Sequence, residues 1–395
     1  MIKFKILAVS FFLMQTLCVN AQILRGTVYD KTTSEPIAFA SVSIINSSVG
    51  TVTNVKGKFS LRIGSEIDSL VISHVNYGLN FLKIEEEAKR DQIFKIEPIA
   101  IALDEIVVTS EPISETLYKA VIRSEEQVSL PIYLSTYYRE FVKTNENYTK
   151  YSDGIISYYL ERKGKEKLKT KVWVKESRAV ELYDEKEEDI DWDLTSPLDL
   201  RNSIGPTLIS SLRKFMDREN VAKYEFDMKT RQMKNDERWD IINITPKLNL
   251  QELLYEATIA IDSKTGLIME VDYELSERHK KFSREVNAVV MKAKLLESKN
   301  KIVFSKSATH YNILYTLKDR TLKIWNKKKL DEEFRFTSDL LVADILPNGS
   351  TLNKEDLYNK KSLYKREESN KTEFWLNSNA IELTSEQQTI IDSLK

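Results

Sequence analysis

A catalytic zinc needs imidazole or carboxylate ligands spaced so that they point at one ion, which makes histidines the first residues to weigh. This chain of 395 residues has three, His74, His279 and His310. None has a glutamate three residues later or a second histidine four residues later, so they read as isolated imidazoles in three separate strand-like segments. The run Asp184, Glu185, Glu187, Glu188, Asp189, Asp191 and Asp193 is acidic enough for calcium. A calcium loop, however, arranges its oxygens around a glycine. This run has none and Lys186 interrupts it, so it reads as a solvated loop. Nucleophile and phosphate motifs are missing too. Gly154-Ile155-Ile156-Ser157 and Gly349-Ser350 form no Gly-x-Ser-x-Gly elbow, and no Gly-x-x-x-x-Gly-Lys-Ser/Thr loop occurs. The expectation is a protein without catalytic residues, metal or cofactor. Tyr133, Tyr137, Tyr138, Tyr158 and Tyr159 are the candidate ligand or partner surface: they could line a concavity for a sugar or lipid, or serve as plain strand core.

Composition narrows the class. The chain is 42% hydrophobic and 30% charged, with ten glycines and eight prolines, which is the make-up of folded domains rather than of linkers. Basic and acidic residues balance at 59 and 60, so there is no basic field for nucleic acid. Residues 1–21 read as a signal peptide. Lys3 and Lys5 precede the apolar stretch Ile6 to Leu17, and Val19 and Ala21 are small residues before Gln22. A membrane span would need about 20 apolar residues. Cys18 follows Gln15-Thr16-Leu17, a poor match to a lipidation signal, which stays open as an alternative. Cleavage removes the single cysteine, leaving neither disulfides nor thiolate chemistry. The expected location is the periplasm or the outer membrane, with no transmembrane helix after cleavage.

The elements follow from periodicity. Residues 22–109 read as about seven short strands broken by polar turns, a β-sandwich. Phe59, Leu61 and Ile63 alternate with Ser60 and Arg62, and Leu70 to Val75 is apolar enough for a strand buried on both faces. Gly57 closes a turn that calls for a positive φ. Ser114 to Val128 changes to a helical period, with Ser114 as cap and a stop near Pro131, giving a linker helix at 110–131. From Tyr133 the chain turns β-rich, with a short helix at Ile204 to Phe215 and a hairpin at Ile261 to Leu267. Residues 132–345 are expected to form a curved antiparallel sheet or half-open barrel. The tail, 346–395, ends in a helix from Ser385 to Leu394 with Ser385 as its cap.

Gly26-Thr27-Val28-Tyr29-Asp30, Glu35 to Val42, Gly50 to Asn54, Gly57 to Leu61 and Leu103 to Val108 together resemble the carboxypeptidase-regulatory-like domain. The resemblance implies a transthyretin-like sandwich of the kind found at the front of Bacteroidetes envelope proteins and TonB-dependent receptors. It implies no carboxypeptidase activity. Asp104 to Thr109 is similar to a TonB-contacting segment of such receptors and reads here as the last strand of the sandwich, with docking as the alternative. Leu254 to Asp262 and Glu270 to Ser276 resemble repeats in Bacteroidetes proteins with the same N-terminal domain, as do Ser362 to Lys365, Glu373 to Trp375 and Ile381 to Thr384. The sheet is similar to the half-open barrel of periplasmic lipoprotein carriers. The favoured function is a non-catalytic envelope protein binding an apolar or glycan ligand or a partner protein. The alternatives are an accessory of a TonB-dependent uptake system and a hydrolase with a dispersed carboxylate pair.

Overall fold

Alternation of apolar and polar residues sets the first half of the fold. In β1 (Gln22–Asp30), Leu24, Gly26 and Val28 point inward between half-buried or exposed neighbours. β2 (Ser41–Ile44), β3 (Gly50–Val52), β4 (Lys58–Ile63), β5 (Ser69–His74), β6 (Gly78–Lys83) and β7 (Gln92–Ile96) follow. They form one sheet in the order β4-β1-β7 and another in the order β3-β2-β5-β6, with Leu24, Val28, Phe59, Leu61, Leu70 and Ile72 packed between them. This is the expected seven-stranded sandwich. Gly57 does sit at φ +71, where an added Cβ would lie 2.6 Å from the Val28 carbonyl oxygen.

The computed structural model describes residues 22–392 except 46–49, 65–66, 68, 85–90, 99–104, 107–110, 164–166, 182–197, 206, 233–236, 289–290, 308, 328–329, 347–351 and 364–380. The leader with Cys18, the acidic run and Glu373 to Trp375 therefore lie outside the described residues.

One correction concerns the end of the sandwich. Of Asp104 to Thr109 the described part is β8 (Glu105–Ile106), and it pairs with a strand of the second sheet, Ile106 opposite Lys229. It extends the large sheet instead of closing the sandwich.

The linker helix α1 spans Ile113–Gln127. Its cap is Pro112, without a side-chain hydrogen bond, rather than Ser114. Proline suits this boundary because its fixed φ already matches the chain's entry. Then come β9 (Ile132–Thr144), β10 (Asn147–Lys163), β11 (Lys167–Glu181), the short helix α2 (Thr207–Ser210) and a 3-10 turn at Ser211–Phe215. The remaining strands are β12 (Tyr224–Gln232), β13 (Arg238–Pro246), β14 (Tyr255–Asp262), β15 (Ile268–Leu275), β16 (Glu285–Ala288), β17 (Met291–Lys306), β18 (Tyr311–Trp325) and β19 (Asp331–Leu346). All pair antiparallel in the order β11-β10-β9-β19-β18-β17-β15-β14-β13-β12-β8, with β16 added to β17, and the sheet is open at both ends. The curved antiparallel sheet is thus as expected.

Its two faces are covered differently. On one, Leu117 and Val121 of α1 and Ile209, Leu212 and Phe215 pack onto Ile259 and Val271. On the other lies the sandwich, with Val52 and Phe39 against Tyr137, Tyr315 and Leu341; the Phe39 and Tyr315 rings stack at 6.2 Å. The C-terminal helix α3 (Ser385–Asp392) packs on this face too, with Ile390 and Ile391 against Tyr151. Thr384, one residue before the expected Ser385, caps it: its hydroxyl accepts the Gln387 N–H at 3.2 Å while Gln387 Oε1 accepts the Thr384 N–H at 3.1 Å.

Candidate functional site

The five tyrosines do not share one surface. Successive strand residues point to opposite faces, and Tyr137 and Tyr138 are neighbours. Tyr138 and Tyr158, both fully buried, join the core on the helix-covered face. Tyr137 is buried beneath the sandwich, its hydroxyl donating to Asp153 at 2.9 Å. Tyr133 and Tyr159 are half-buried and packed ring to ring at 4.5 Å, with the Lys171 ammonium 5.0 Å over Tyr159. None of the five lines either of the two large cavities described below.

The first cavity, about 510 Å³, is a charged groove beside α3's side of the sheet. Much of its charge is paired internally: Lys280 with Glu277 at 2.8 Å and Glu297 at 3.3 Å, and Arg335 with Asp319 at 2.5 Å. The second, about 490 Å³, lies where the outer face of the sandwich's four-stranded sheet meets the large sheet. Val71, Leu79 and Phe81 form one wall and Met269, Val303 and Leu314 the other, with Ser41, Ser43, Ser73 and Ser305 between them. Glu237, Glu270, Lys306 and Ser307 line it as well, so the surface is mixed, and its size falls in the range of small-molecule sites, about 300–1,000 Å³.

Period 2 explains the first wall. Leu70 and Ile72 point into the sandwich core, which leaves Val71 and Ser73 facing the cleft. The continuous apolar run of Leu70 to Val75 was the one sequence signal for it. The opposite wall had none, because its residues come from strands about two hundred positions further on.

A buried ionic joint closes one end of the cleft. Glu270 and Lys301 are 3% and 2% exposed and form an ion pair; Lys301 also donates to Asp272 at 2.8 Å. Burial, the largest influence, pushes the Glu270 carboxyl up to about 7, while Lys301 pulls the other way. Burial also works against the Lys301 ammonium, but Glu270 and Asp272 hold its pKa above the usual value. The Val75 N–H donates to Glu270 and the Val75 carbonyl accepts from Arg231 at 3.0 Å. The sandwich's β5–β6 turn is therefore fastened from both sides. His74, at that turn, is held well below the usual imidazole range by burial and by the charges of Lys301 and Lys299.

The other histidines sit elsewhere. His279 is buried in the turn after β15, not in a strand, with Nδ1 3.2 Å from Ser276 Oγ. His310 is exposed between β17 and β18. Among the described residues no group of three or more His, Cys, Asp or Glu is placed to hold a metal, and no helix is long and apolar enough to cross a membrane.

No curated protein matches the chain. Among solved structures, a LolA superfamily protein from Nitrosomonas europaea is similar at 10% identity, covering 58% of this chain and 94% of that one with a TM-score of 0.20. A domain described as an outer membrane lipoprotein-sorting protein, from Vibrio parahaemolyticus, is similar at 9% identity over 61% and 96%, TM-score 0.22. A DUF1329 family protein from Desulfovibrio piger is similar at 11% over 59% and 95%, TM-score 0.21. At such scores none bears on what this chain binds. The family model of the CarboxypepD_reg-like domain matches residues 24–108, so the N-terminal sandwich is similar to that domain.

Proposed function

We propose that the protein is a non-catalytic, ligand-binding component of the cell envelope, and that its ligand is an elongated, largely apolar molecule held between the sandwich and the large sheet. The supporting observation is the cleft of about 490 Å³, lined by half-buried Val71, Leu79 and Phe81 on the sandwich side and by Met269 on the sheet side. Apolar side chains on both walls support an acyl chain, with the serines and charged groups of the same cleft beside it. Of its aromatic residues, Trp239 and Phe304 are buried and Phe81 is half-buried. Envelope placement rests on the leader read at residues 1–21, and the absence of catalysis on the lack of an assembled reactive set.

Mass spectrometry of the purified protein under non-denaturing conditions tests this reading. The expected spectrum contains a co-purifying acyl species that organic extraction releases. A bare protein that also takes up no fatty acid when it is offered would contradict it.

A further inference from the structure

We propose that the end of the β10–β11 hairpin docks on an anionic lipid bilayer, through the cations Arg162, Lys169 and Lys171 beside the packed rings of Tyr133 and Tyr159. This surface does not rest on the cleft reading.

Sequence and register concentrate positive charge there. From Glu161 to Lys175 the chain has seven basic residues against two acidic ones, while the whole chain balances 59 against 60. The last rung between β10 and β11 sets Lys163 opposite Lys167, and the rungs before it pair Arg162 with Leu168, Glu161 with Lys169 and Tyr159 with Lys171. Like charges on one rung weaken a sheet, and an anionic surface offsets that cost. The Tyr159 row continues inward, to Tyr133 on β9 and then to Leu346 on β19. Neighbouring strands are about 4.8 Å apart, so the row from Lys171 to Leu346 is about 14 Å wide. Tyr133 shares the face of Tyr137 but stands four residues, about 13 Å, along the strand from it. Tyr137 is buried under the sandwich, whereas Tyr133, Tyr159 and Leu346 are half-buried.

The cations have no acidic partners. Arg162 and Lys169 are exposed and Lys171 is half-buried. Arg162 donates to the Glu125 carbonyl at 2.7 Å, and the Lys171 ammonium lies 5.0 Å over the Tyr159 ring. Glu161, across the rung from Lys169, is hydrogen-bonded to the Tyr159 hydroxyl. Among the described residues no carboxylate forms an ion pair with any of the three.

Their directions decide the kind of partner. Alternation sends Lys169 and Lys171 to one face of the hairpin and Arg162 to the other. No single small anion meets all three, whereas a charged plane laid across the hairpin end does. Tyrosine brings an apolar ring with a polar tip and lysine an apolar stem with a charged head, the combination that suits a membrane–water interface. Each basic residue near an anionic bilayer raises affinity about fivefold.

The test is sedimentation of the purified protein with phosphatidylcholine vesicles, with and without one third phosphatidylglycerol, at low salt and at about 0.5 M salt. Retention is expected only with phosphatidylglycerol and is expected to be lost at high salt. The triple variant Arg162→Gln, Lys169→Gln, Lys171→Gln is expected to bind at least tenfold more weakly. A control that removes the same charge elsewhere, at the exposed Lys56, Lys95 and Lys264 (each to Gln), is expected to bind like the wild type. If the triple variant fails to fold, the exposed single change Lys169→Gln decides, with a several-fold loss expected. Retention that ignores phosphatidylglycerol, or an equal loss in the hairpin variant and the control, overturns the proposal. So does binding to a soluble acidic polysaccharide such as alginate without retention by vesicles, which assigns a glycan partner instead.

Discussion

Arg139 carries the most constrained charge under the sandwich. Its Nε and Nη2 grip Asp339 at 2.7 and 2.6 Å, and its Nη1 donates to Gln387 of α3 at 3.1 Å. Removing one partner of a buried pair leaves the other desolvated and uncompensated. Arg139→Met is therefore expected to lower stability by about 3–5 kcal/mol in denaturant unfolding, with part of the loss recovered when Asp339→Leu is added. No loss from the single change would refute this. Nothing in the sequence announces the pair, whose members lie 200 positions apart. Glu270 yields a prediction about pH. Its folded pKa, about 7, lies above the unfolded carboxylate value near 4.5. Between these pH values the folded state holds more protons, so the contribution of this group falls as pH rises from about 4.5 through 7. Unfolding free energies at pH 5 and 8 are expected to differ less in Glu270→Gln than in the wild type; an unchanged difference would show that Glu270 is not the group responsible. The tyrosines teach the converse lesson: their type was visible, but their alternation across the strand ruled out a shared surface.

Elements were the most legible level, because periodicity is written locally. The helical period over Ser114 to Val128 corresponds to α1, off by one residue at each end. The hairpin at Ile261 to Leu267 is present, with Asp262 Oδ1 accepting the Lys264 and Thr265 N–H groups at 2.9 and 3.0 Å and Gly266 at φ +68. Strand lengths were less legible: β17 and β18 are 16 and 15 residues long, and charged residues such as Lys318 and Arg320 continue the ladder. Such positions interrupt the apolar signal without interrupting backbone pairing. α1 offers a test at this scale. The buried Ser124 hydroxyl accepts the Ile268 N–H at 2.9 Å, tying the helix to β15. Ser124→Ala is expected to cost about 1–3 kcal/mol by leaving that N–H unsatisfied. Thermal unfolding checks it, and a value near zero would mean that the donor finds another acceptor.

For the whole molecule, the informative feature is how the sandwich sits on the sheet. It is joined to the sheet through the Phe39–Tyr315 stack and the Val75 turn, and to the segment before α3 by the Asn54 amide, which donates to the Glu382 carbonyl at 2.9 Å. Between these joints the walls stand apart, and that gap is the cleft. Sequence reading could infer each layer, since each has its own pattern, but the gap is a property of docking and leaves no local trace. The most direct measurement is a titration of the protein with a long-chain fluorescent fatty acid, repeated on Val71→Trp, which places a large side chain in the gap without touching the sandwich core. Saturable one-to-one binding to the wild type, weakened at least tenfold in a variant with the wild-type melting temperature, is the predicted result. Equal affinity in the two proteins would contradict the account.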